Sequence, residues 1–205
     1  MPVSIRSLAA STALALTLAF SLPAGPALAD THGGAAIETA VMADKLPGKK
    51  RNKTGLYATA AESIAAVAGR DDVLLVDTRT PEEAMFVGYA TDTDILIPFK
   101  LVNPDHPFNA RKNAYGMKDN PDFLADMKAF LDGKVPAAVL IICRSGGRSA
   151  MAVDALVEAG VTAPLYTVVD GFEGDKSDDG RRSVNGWKNA GGAWTYKIRE
   201  GLLAD

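Results

Sequence analysis

The sequence predicts a three-layer α/β domain, in which a central parallel sheet is covered by helices on both faces. Three observations lead to this prediction. Short apolar runs, such as residues 73–77 and 138–142, have the continuous hydrophobic character of strands that are buried on both faces. These runs alternate along the chain with segments that carry helix-start signals, an order typical of parallel sheets. The composition, 47% hydrophobic and 23% charged over 205 residues, suits a globular protein with one main core.

The first two helices are predicted from their start signals. Thr59 and Glu62 form a capping-box pattern, because the threonine hydroxyl and the glutamate carboxylate can satisfy the first free amides of a helix reciprocally. That helix is expected to end near Ala68. A second signal at residues 80–83 adds proline at the first helical position and predicts a short helix to about Phe86.

The alternation continues through the second half of the chain. An amphipathic helix is predicted between Asp122 and Gly133, and another helix over residues 150–159. The segment 100–119 has no hydrophobic period, so we predict a long loop near the sheet edge. The predicted strands are residues 73–77, 95–97, 138–142 and 165–169.

The first 29 residues have the pattern of a secretory signal peptide. Arg6 supplies positive charge, residues 8–22 are apolar, and residues 27–29 (Ala-Leu-Ala) offer a cleavage site. The apolar run is shorter than the ~20 residues that a membrane-spanning helix needs, so a cleaved signal is favoured over an anchor. We therefore expect a periplasmic or otherwise secreted protein with no membrane association after cleavage. Residues 30–54 are expected to form a flexible arm, and the folded domain to span residues 55–205.

The charge of the chain argues against some classes of partner. The net charge of -3 and the pI near 5.4 give no reason to expect nucleic acid or an anionic membrane as partner. His32 and His106 are isolated from each other and from other ligand residues, so no metal site is predicted.

Cys143 is the single cysteine of a chain that we expect to be exported into an oxidising space. An intramolecular disulfide is impossible with one cysteine, so Cys143 is either an inert core residue or a reactive thiol. Its neighbours favour the reactive thiol, because an inert residue leaves Arg144, Gly146, Gly147 and Arg148 unexplained.

The segment 143–149 lies between the most apolar strand and the following helix, where open α/β sheets place their ligand sites. Gly146 and Gly147 allow successive amides to turn inward, so the loop can form a nest of N–H donors next to the positive end of the helix. This cradle suits a sulfonate, a phosphate or a thiolate. A cysteine placed here should ionise more readily than a free cysteine.

Three stretches of the sequence resemble the rhodanese-like sulfurtransferases. Residues 76–83 are similar to the Asp-x-Arg segment of that family, residues 143–149 to its active-site loop, and residues 169–172 to its glycine-containing segment. Trp187, followed by Gly191 and Trp194, is similar to its closing pattern. The resemblance extends from about Gly55 to the C-terminus. Tyr89 and Asp170 depart from the family, which commonly has histidine and glycine at these positions.

The resemblance implies that Cys143 takes a sulfane sulfur from a small donor such as thiosulfate, holds it as a persulfide and passes it to a thiol or protein acceptor. No cofactor besides that covalent persulfide is implied. Asp77 and Arg79 would buttress the site as a structural ion pair rather than act in catalysis. The implied donor-binding and persulfide-holding residues are Arg144, Ser145, Gly146, Gly147, Arg148 and Ser149.

Two other functions stay open at this point. A non-catalytic module that relays its persulfide to one partner would need the same loop. A thiol-based phosphatase or arsenate reductase would also need a cysteine, an anion cradle and an arginine. Family members that act on phosphate or arsenate have a loop one residue longer. Four residues separate Cys143 from Arg148, so this second alternative is less favoured.

Overall fold

A five-stranded parallel sheet forms the centre of the structure, a computed structural model that describes residues 37–204. The predicted signal peptide lies outside the described residues and stays a prediction. The helices are α1 Ala60–Val67, α2 Pro81–Val87, α3 Phe123–Leu131 and α4 Gly147–Glu158. The strands are β1 Tyr57–Ala58, β2 Val73–Asp77, β3 Tyr89–Ala90, β4 Ile95–Leu96, β5 Lys100–Val102, β6 Phe108–Asn109, β7 Ala114–Tyr115, β8 Met117–Asp119, β9 Ala138–Ile142, β10 Leu165–Val168 and β11 Trp194–Thr195.

The order of strands in the central sheet is β1-β10-β9-β2-β4, and all neighbouring pairs are parallel. β9 is therefore the middle strand, hydrogen-bonded to β10 on one side and to β2 on the other. All five residues of β9 are buried, as its continuous apolar run predicts.

Apolar side chains cover both faces of the sheet. On one face, Leu75 and Leu140 lie in a core that includes Trp187 and contacts Ile64 of α1. On the other face, Ile141 lies in a core with side chains of α3 and α4. Successive residues of a strand point to opposite faces, so Leu140 and Ile141 serve different cores. The predicted three-layer α/β fold is confirmed.

Both predicted capping boxes are present. The amide of Glu62 donates to Thr59 Oγ1 at 3.1 Å while Glu62 Oε2 accepts from the Thr59 amide at 2.7 Å. Thr80 and Glu83 make the equivalent pair of bonds at 3.2 and 3.1 Å. Each box satisfies amides that the first turn of a helix leaves free.

The loop predicted over residues 100–119 is wrong in detail, because this segment forms two short antiparallel ladders. β5 pairs with β8, and β6 with β7, so the chain makes an extended hairpin, which we call the hairpin arm. Asn120 Nδ2 donates to Pro98 O at 2.8 Å and ties the ends of the arm together. Both residues of β6 and both of β7 are exposed, so the sequence carries no alternation by which the strands could be recognised.

The described part of the predicted arm, residues 37–54, lies against the domain. Ile37 is 4% exposed and belongs to the core on the α1 face of the sheet. Asn52 Nδ2 donates to Leu56 O at 3.0 Å and to Thr167 Oγ1 at 2.8 Å. Lys50 Nζ donates to Asp175 at 2.8 Å. Composition alone did not predict these contacts, and the boundary at residue 55 stays a prediction.

Within residues 37–204, no helix is long and apolar enough to cross a membrane.

The core between the sheet and α3 depends on Met127, which is completely buried. We expect Met127→Ala to lower the free energy of unfolding by about 2–5 kcal/mol, because the substitution removes buried contacts and leaves a cavity. Met151→Ala is the matched control. Met151 is 49% exposed on α4, so its replacement should cost about 1 kcal/mol or less. Urea unfolding of both variants measures the difference, and equal losses would contradict this account of the core.

Candidate active site

Cys143 follows the middle strand of the sheet directly. β9 ends at Ile142 and α4 begins at Gly147, so residues 143–146 connect the two elements at the carboxyl end of the sheet. The helix was predicted to begin at residue 150, and its earlier start brings its first turn to the loop itself. Ligand sites of open α/β sheets occupy this edge.

The thiol of Cys143 lies against the first turn of α4. Only 1% of the residue is exposed, and the amide of Ser149 donates to its Sγ at 3.4 Å. The N-terminus of a helix carries partial positive charge and favours an anion at this position. The Ser149 hydroxyl is also buried and has no hydrogen-bond partner among the described residues. The residue whose amide contacts the sulfur therefore also carries a buried hydroxyl that is free to donate.

Residues 143–149, which we call the cysteine loop, are packed against a second loop, residues 169–172. Two glycines allow the main chains of the two loops to touch directly. Gly146 has φ 92°, and a Cβ placed on it would lie 2.1 Å from Val169 O. Gly171 has φ 65°, and a Cβ there would lie 2.4 Å from Cys143 O. No side chain fits either position. The amide of Phe172 completes the contact by donating to Cys143 O at 2.7 Å.

Asp170, one of the two departures from the family, has a structural function. It is 5% exposed, and its carboxylate accepts from the amide of Ala60 at 2.6 Å and from that of Gly186 at 2.9 Å. Burial raises the pKa of Asp170, while these two amides act in the opposite direction. The carboxylate thus joins the second loop to the start of α1.

Tyr89, the other departure, is also part of the framework. It is 2% exposed, and its hydroxyl donates to Lys197 O at 2.9 Å. Trp187 is fully buried, with Nε1 donating to Ala193 O at 3.0 Å, and Trp194 pairs with Ala90 across the β11–β3 ladder. The described part of the closing segment, up to residue 204, therefore packs onto the domain, and none of its side chains is hydrogen-bonded to the cysteine.

Asp77 and Arg79 form a buried ion pair beneath the site. Their closest atoms, Arg79 Nη2 and Asp77 Oδ2, are 2.6 Å apart, and neither side chain is more than 1% exposed. Arg79 Nη2 also donates to Gly88 O at 2.9 Å, and its guanidinium lies 4.0 Å from the centre of the Phe172 ring. The pair therefore connects β2 to the loop that supports Cys143.

The two arginines of the cysteine loop have different surroundings. Arg148 donates two hydrogen bonds of 2.6 Å to the carboxylate of Glu83. Burial lowers the pKa of Arg148, but the hydrogen bond and charge of Glu83, together with the charges of Cys143 and Asp77, raise it on balance. Burial likewise raises the pKa of Glu83, but the hydrogen bonds and charge of Arg148, together with the Thr80 amide and the charge of Arg79, lower it on balance. Arg144, in contrast, is exposed and makes no ion pair within residues 37–204.

Arg182 is a third arginine near the cysteine, and sequence reasoning missed it. Its guanidinium donates to Gly174 O, and the Gly174 amide donates to Arg144 O at 3.2 Å. Burial lowers the pKa of Arg182, and the positive charge of Arg144 lowers it further, while the charges of Glu173, Asp175 and, least of all, Cys143 raise it. Arg182 therefore lies within electrostatic range of Arg144 and Cys143 and also of two carboxylates. Asn189 Nδ2 fixes the main chain by donating to Arg182 O at 3.3 Å.

No pattern of residue spacing links Arg182 to the cysteine loop, because Arg182 lies in a segment with the composition of a solvated surface loop.

Within residues 37–204, no group of three histidine, cysteine or acidic residues is placed to hold a metal ion.

The Glu83–Arg148 pair predicts a pH dependence of stability. Because the folded-state pKa of Glu83 is below its ordinary value, the pair stabilises the protein above the ordinary glutamate pKa. This contribution is lost as the pH falls through the folded-state pKa. We expect Glu83→Gln to lose on the order of 1–3 kcal/mol at neutral pH and to approach the wild type in acid.

The control for this measurement is Glu82→Gln, which neutralises the exposed neighbouring carboxylate in the first turn of α2. Its cost should stay below about 1 kcal/mol. A pH-independent difference between Glu83→Gln and the wild type would contradict the assigned ion pair.

The sequence and the fold of this chain are similar to those of known proteins. No protein-family model matches the sequence. Over 127 residues it is 31% identical to "Uncharacterized protein RP600 homolog" of Rickettsia rickettsii, which covers 62% of this chain and 85% of the relative. Among solved structures, Rv0390 from M. tuberculosis superposes with a TM-score of 0.53 and 29% identity, over 69% of this chain and 99% of that one. A thiosulfate sulfurtransferase from Pseudomonas aeruginosa superposes with a TM-score of 0.44 and 17% identity, over 68% of this chain and 20% of that one. The chain therefore belongs to one family with the rickettsial protein, and it shares its α/β fold with Rv0390.

Proposed function

We propose that this protein is a sulfurtransferase that takes a sulfane sulfur from a donor such as thiosulfate onto Cys143 and passes it to a thiol or protein acceptor. The observation that carries the proposal is the position of Cys143 Sγ, which accepts a hydrogen bond from the Ser149 amide in the first turn of α4. The N-terminus of α4 favours a sulfur anion there, and the other amides of the loop would add further donors.

The two half-reactions balance without a further reactant. In the first, the Cys143 thiolate attacks the outer sulfur of thiosulfate, a new S–S bond forms, and the old S–S bond breaks as sulfite leaves with the electron pair. In the second, the thiolate of an acceptor attacks the outer sulfur of the Cys143 persulfide, and Cys143 leaves as the thiolate. Charge and sulfur oxidation state are conserved over the cycle.

The persulfide would be held by the loop amides and by Ser149. The loop amides between Arg144 and Ser149 are the group that the family resemblance implies. The buried Ser149 hydroxyl, without a partner in the described part of the chain, supplies a further donor. A bound terminal sulfur anion would satisfy that hydroxyl, which is otherwise costly to bury.

The donor's sulfonate would be bound by Arg144 and Arg182 rather than by both arginines of the loop. Arg148 already donates two hydrogen bonds to Glu83, so both terminal nitrogens of its guanidinium are engaged and its charge is balanced by the carboxylate. Arg144 and Arg182 lie close enough to lower the pKa of Arg182, and an anion between them would relieve that repulsion. Arg148 then fixes α4 to α2 and holds the loop in shape.

A thiol-based phosphatase or arsenate reductase is the weaker candidate. Family members that act on phosphate or arsenate have a loop one residue longer than the four residues between Cys143 and Arg148. A non-catalytic persulfide relay shares the first half-reaction and differs only in turnover. A thiosulfate-to-cyanide assay, set beside a partner pull-down, separates the relay from the enzyme.

The intact mass of the protein tests the sulfurtransferase function directly. Thiosulfate should add one sulfur atom to the wild-type protein, and cyanide should remove it as thiocyanate. Cys143→Ser should accept none, because Cys143 is the single thiol of the chain. A wild-type mass that does not change with several sulfane donors would sink the proposal.

The assignment of the arginines predicts unequal effects on the two half-reactions. A charge-assisted hydrogen bond is worth about 1.5–3 kcal/mol, so Arg144→Ala and Arg182→Ala should each slow sulfur uptake from thiosulfate on the order of ten- to a hundredfold. Cyanide attack on the preformed persulfide should be slowed less, since no sulfonate is held in that step.

Arg181→Ala is the control for this comparison. The Arg181 side chain is 85% exposed, and its Nε lies 3.6 Å from Asp179 Oδ2. Its removal should change neither half-reaction by more than about threefold. Uptake rates that fall equally in Arg181→Ala and Arg182→Ala would show a general loss of surface charge instead of a donor site.

A further inference from the structure

A cavity of about 610 Å³ lies between residues 46–50, the start of α1 and residues 184–190. It is lined by no residue of the cysteine loop, so it is separate from the candidate active site. Its volume lies within the roughly 300–1,000 Å³ of small-molecule sites. Its wall carries two positive and two negative side chains, which balance in charge: Lys49, Lys50, Asp170 and Asp175.

Two of these four charged residues are buried. Lys50 and Asp170 are each 5% exposed. A charge held out of water is costly unless it is paired and hydrogen-bonded, and both groups meet that condition. Lys50 Nζ donates to both carboxylate oxygens of Asp175 at 2.8 Å, and the Asp170 carboxylate accepts from two main-chain amides. The two buried charges are therefore held in place on the wall of the cavity, unlike the mobile charges of surface side chains.

The bonds that these charged groups make within the protein do not saturate them. An ammonium has three N–H donors, and the two bonds from Lys50 use at most two of them. Lys49 is exposed and makes no ion pair among residues 37–204. Each oxygen of Asp170 accepts a single bond and has a second lone pair. Burial raises the pKa of Asp170, and a cation bound there would favour its charged form. The lysines can therefore bind an anion and the aspartates a cation.

Much of the remaining wall is apolar. Val184 is 59% exposed and belongs to none of the buried clusters of the described residues. A ligand that covered Val184 would remove apolar surface from water. The apolar side chains that line the cavity are Leu46, Pro47, Ala61, Val169, Val184 and Ala190. A ligand that matches the whole wall carries a charge of each sign and an apolar body.

We propose that this cavity binds a free α-amino acid with an apolar side chain, such as leucine. Its carboxylate lies between the two lysines, its ammonium contacts the two aspartates, and its side chain lies on the apolar wall. A simple carboxylate would be attracted by the lysines and repelled by the aspartates, and a simple amine the reverse. A zwitterion is attracted by both pairs and brings no net charge into the cavity. The site does not depend on the proposed sulfurtransferase function, since Cys143 takes no part in it.

Calorimetry with three ligands of the same apolar body tests the need for both charges. L-Leucine has both head groups, 4-methylpentanoate has only the carboxylate, and 3-methylbutylamine has only the ammonium. Leucine should bind more tightly than either analogue by on the order of ten- to a hundredfold, because each analogue loses one set of charge-assisted hydrogen bonds. Glycine, which lacks the apolar body, should bind several-fold more weakly than leucine. Equal affinities for the three ligands, or no binding of leucine at millimolar concentration, would overturn the proposal.

Two substitutions separate the head groups of the ligand. Lys49 is exposed, so Lys49→Ala should leave the fold intact, weaken 4-methylpentanoate and leucine several-fold, and not weaken 3-methylbutylamine. Asp175→Asn should weaken 3-methylbutylamine and strengthen 4-methylpentanoate, because it removes a carboxylate and releases Lys50 from its partner. Changes of the same sign for both analogues in Asp175→Asn would contradict the assignment of the charges.

Matched controls show whether the binding belongs to this cavity. The Lys45 side chain is 76% exposed and does not line the cavity, so Lys45→Ala should keep the wild-type affinity for leucine. Val184→Ala should weaken leucine more than glycine, whereas Val135→Ala, at a residue that is 97% exposed and outside the cavity, should change neither. Cys143→Ser should bind leucine as the wild type does. A loss of leucine affinity in Lys45→Ala as large as in Lys49→Ala, or a loss in Cys143→Ser, would refute the cavity as the site.

Discussion

The close contact between two stretches of main chain is the constraint on which the candidate site depends. Gly146 and Gly171 remove the side chains that would separate the cysteine loop from residues 169–172, and the Phe172 amide donates to Cys143 O at 2.7 Å. With the outer side of the loop held in this way, its other amides can face inward toward the sulfur. The rigidity that a nest of amides needs therefore comes from a second loop, not from the helix alone.

Charged side chains extend this support in two directions. The buried Asp77–Arg79 pair reaches from β2 to the ring of Phe172, below the second loop. The Glu83–Arg148 pair connects the first turn of α2 with the first turn of α4. Glu83 also closes the capping box of α2, so one carboxylate orders a helix start and occupies an arginine next to the cysteine. Removing one partner of such a pair leaves the other charge partly buried, which is why both pairs act as positioning elements.

Local signals predicted most of the fold, whereas contacts between distant segments could not be predicted. The capping boxes at Thr59 and Thr80 and the buried run of β9 depend on residues a few positions apart, so the sequence displays them. The Arg148–Glu83 bond joins positions 65 residues apart, and nothing near Arg148 indicates that its fork is occupied. Arg182 lies near Cys143 because of the way its loop folds, which no local sequence pattern shows. The hairpin arm escaped prediction because strands exposed on both faces have no reason to alternate apolar and polar residues.

The central position of β9 in the sheet determines which parts of the domain unfold locally. Edge strand β1 has two residues and one neighbouring strand, so it can separate locally at low cost. β4 is equally short but is also bridged through Leu96 to Leu203, and β9 is bonded along both sides. The amides of β9 are then among the last to exchange with solvent, and Cys143 continues directly from them. Local fraying at the edge of the sheet therefore leaves the cysteine in register with its helix.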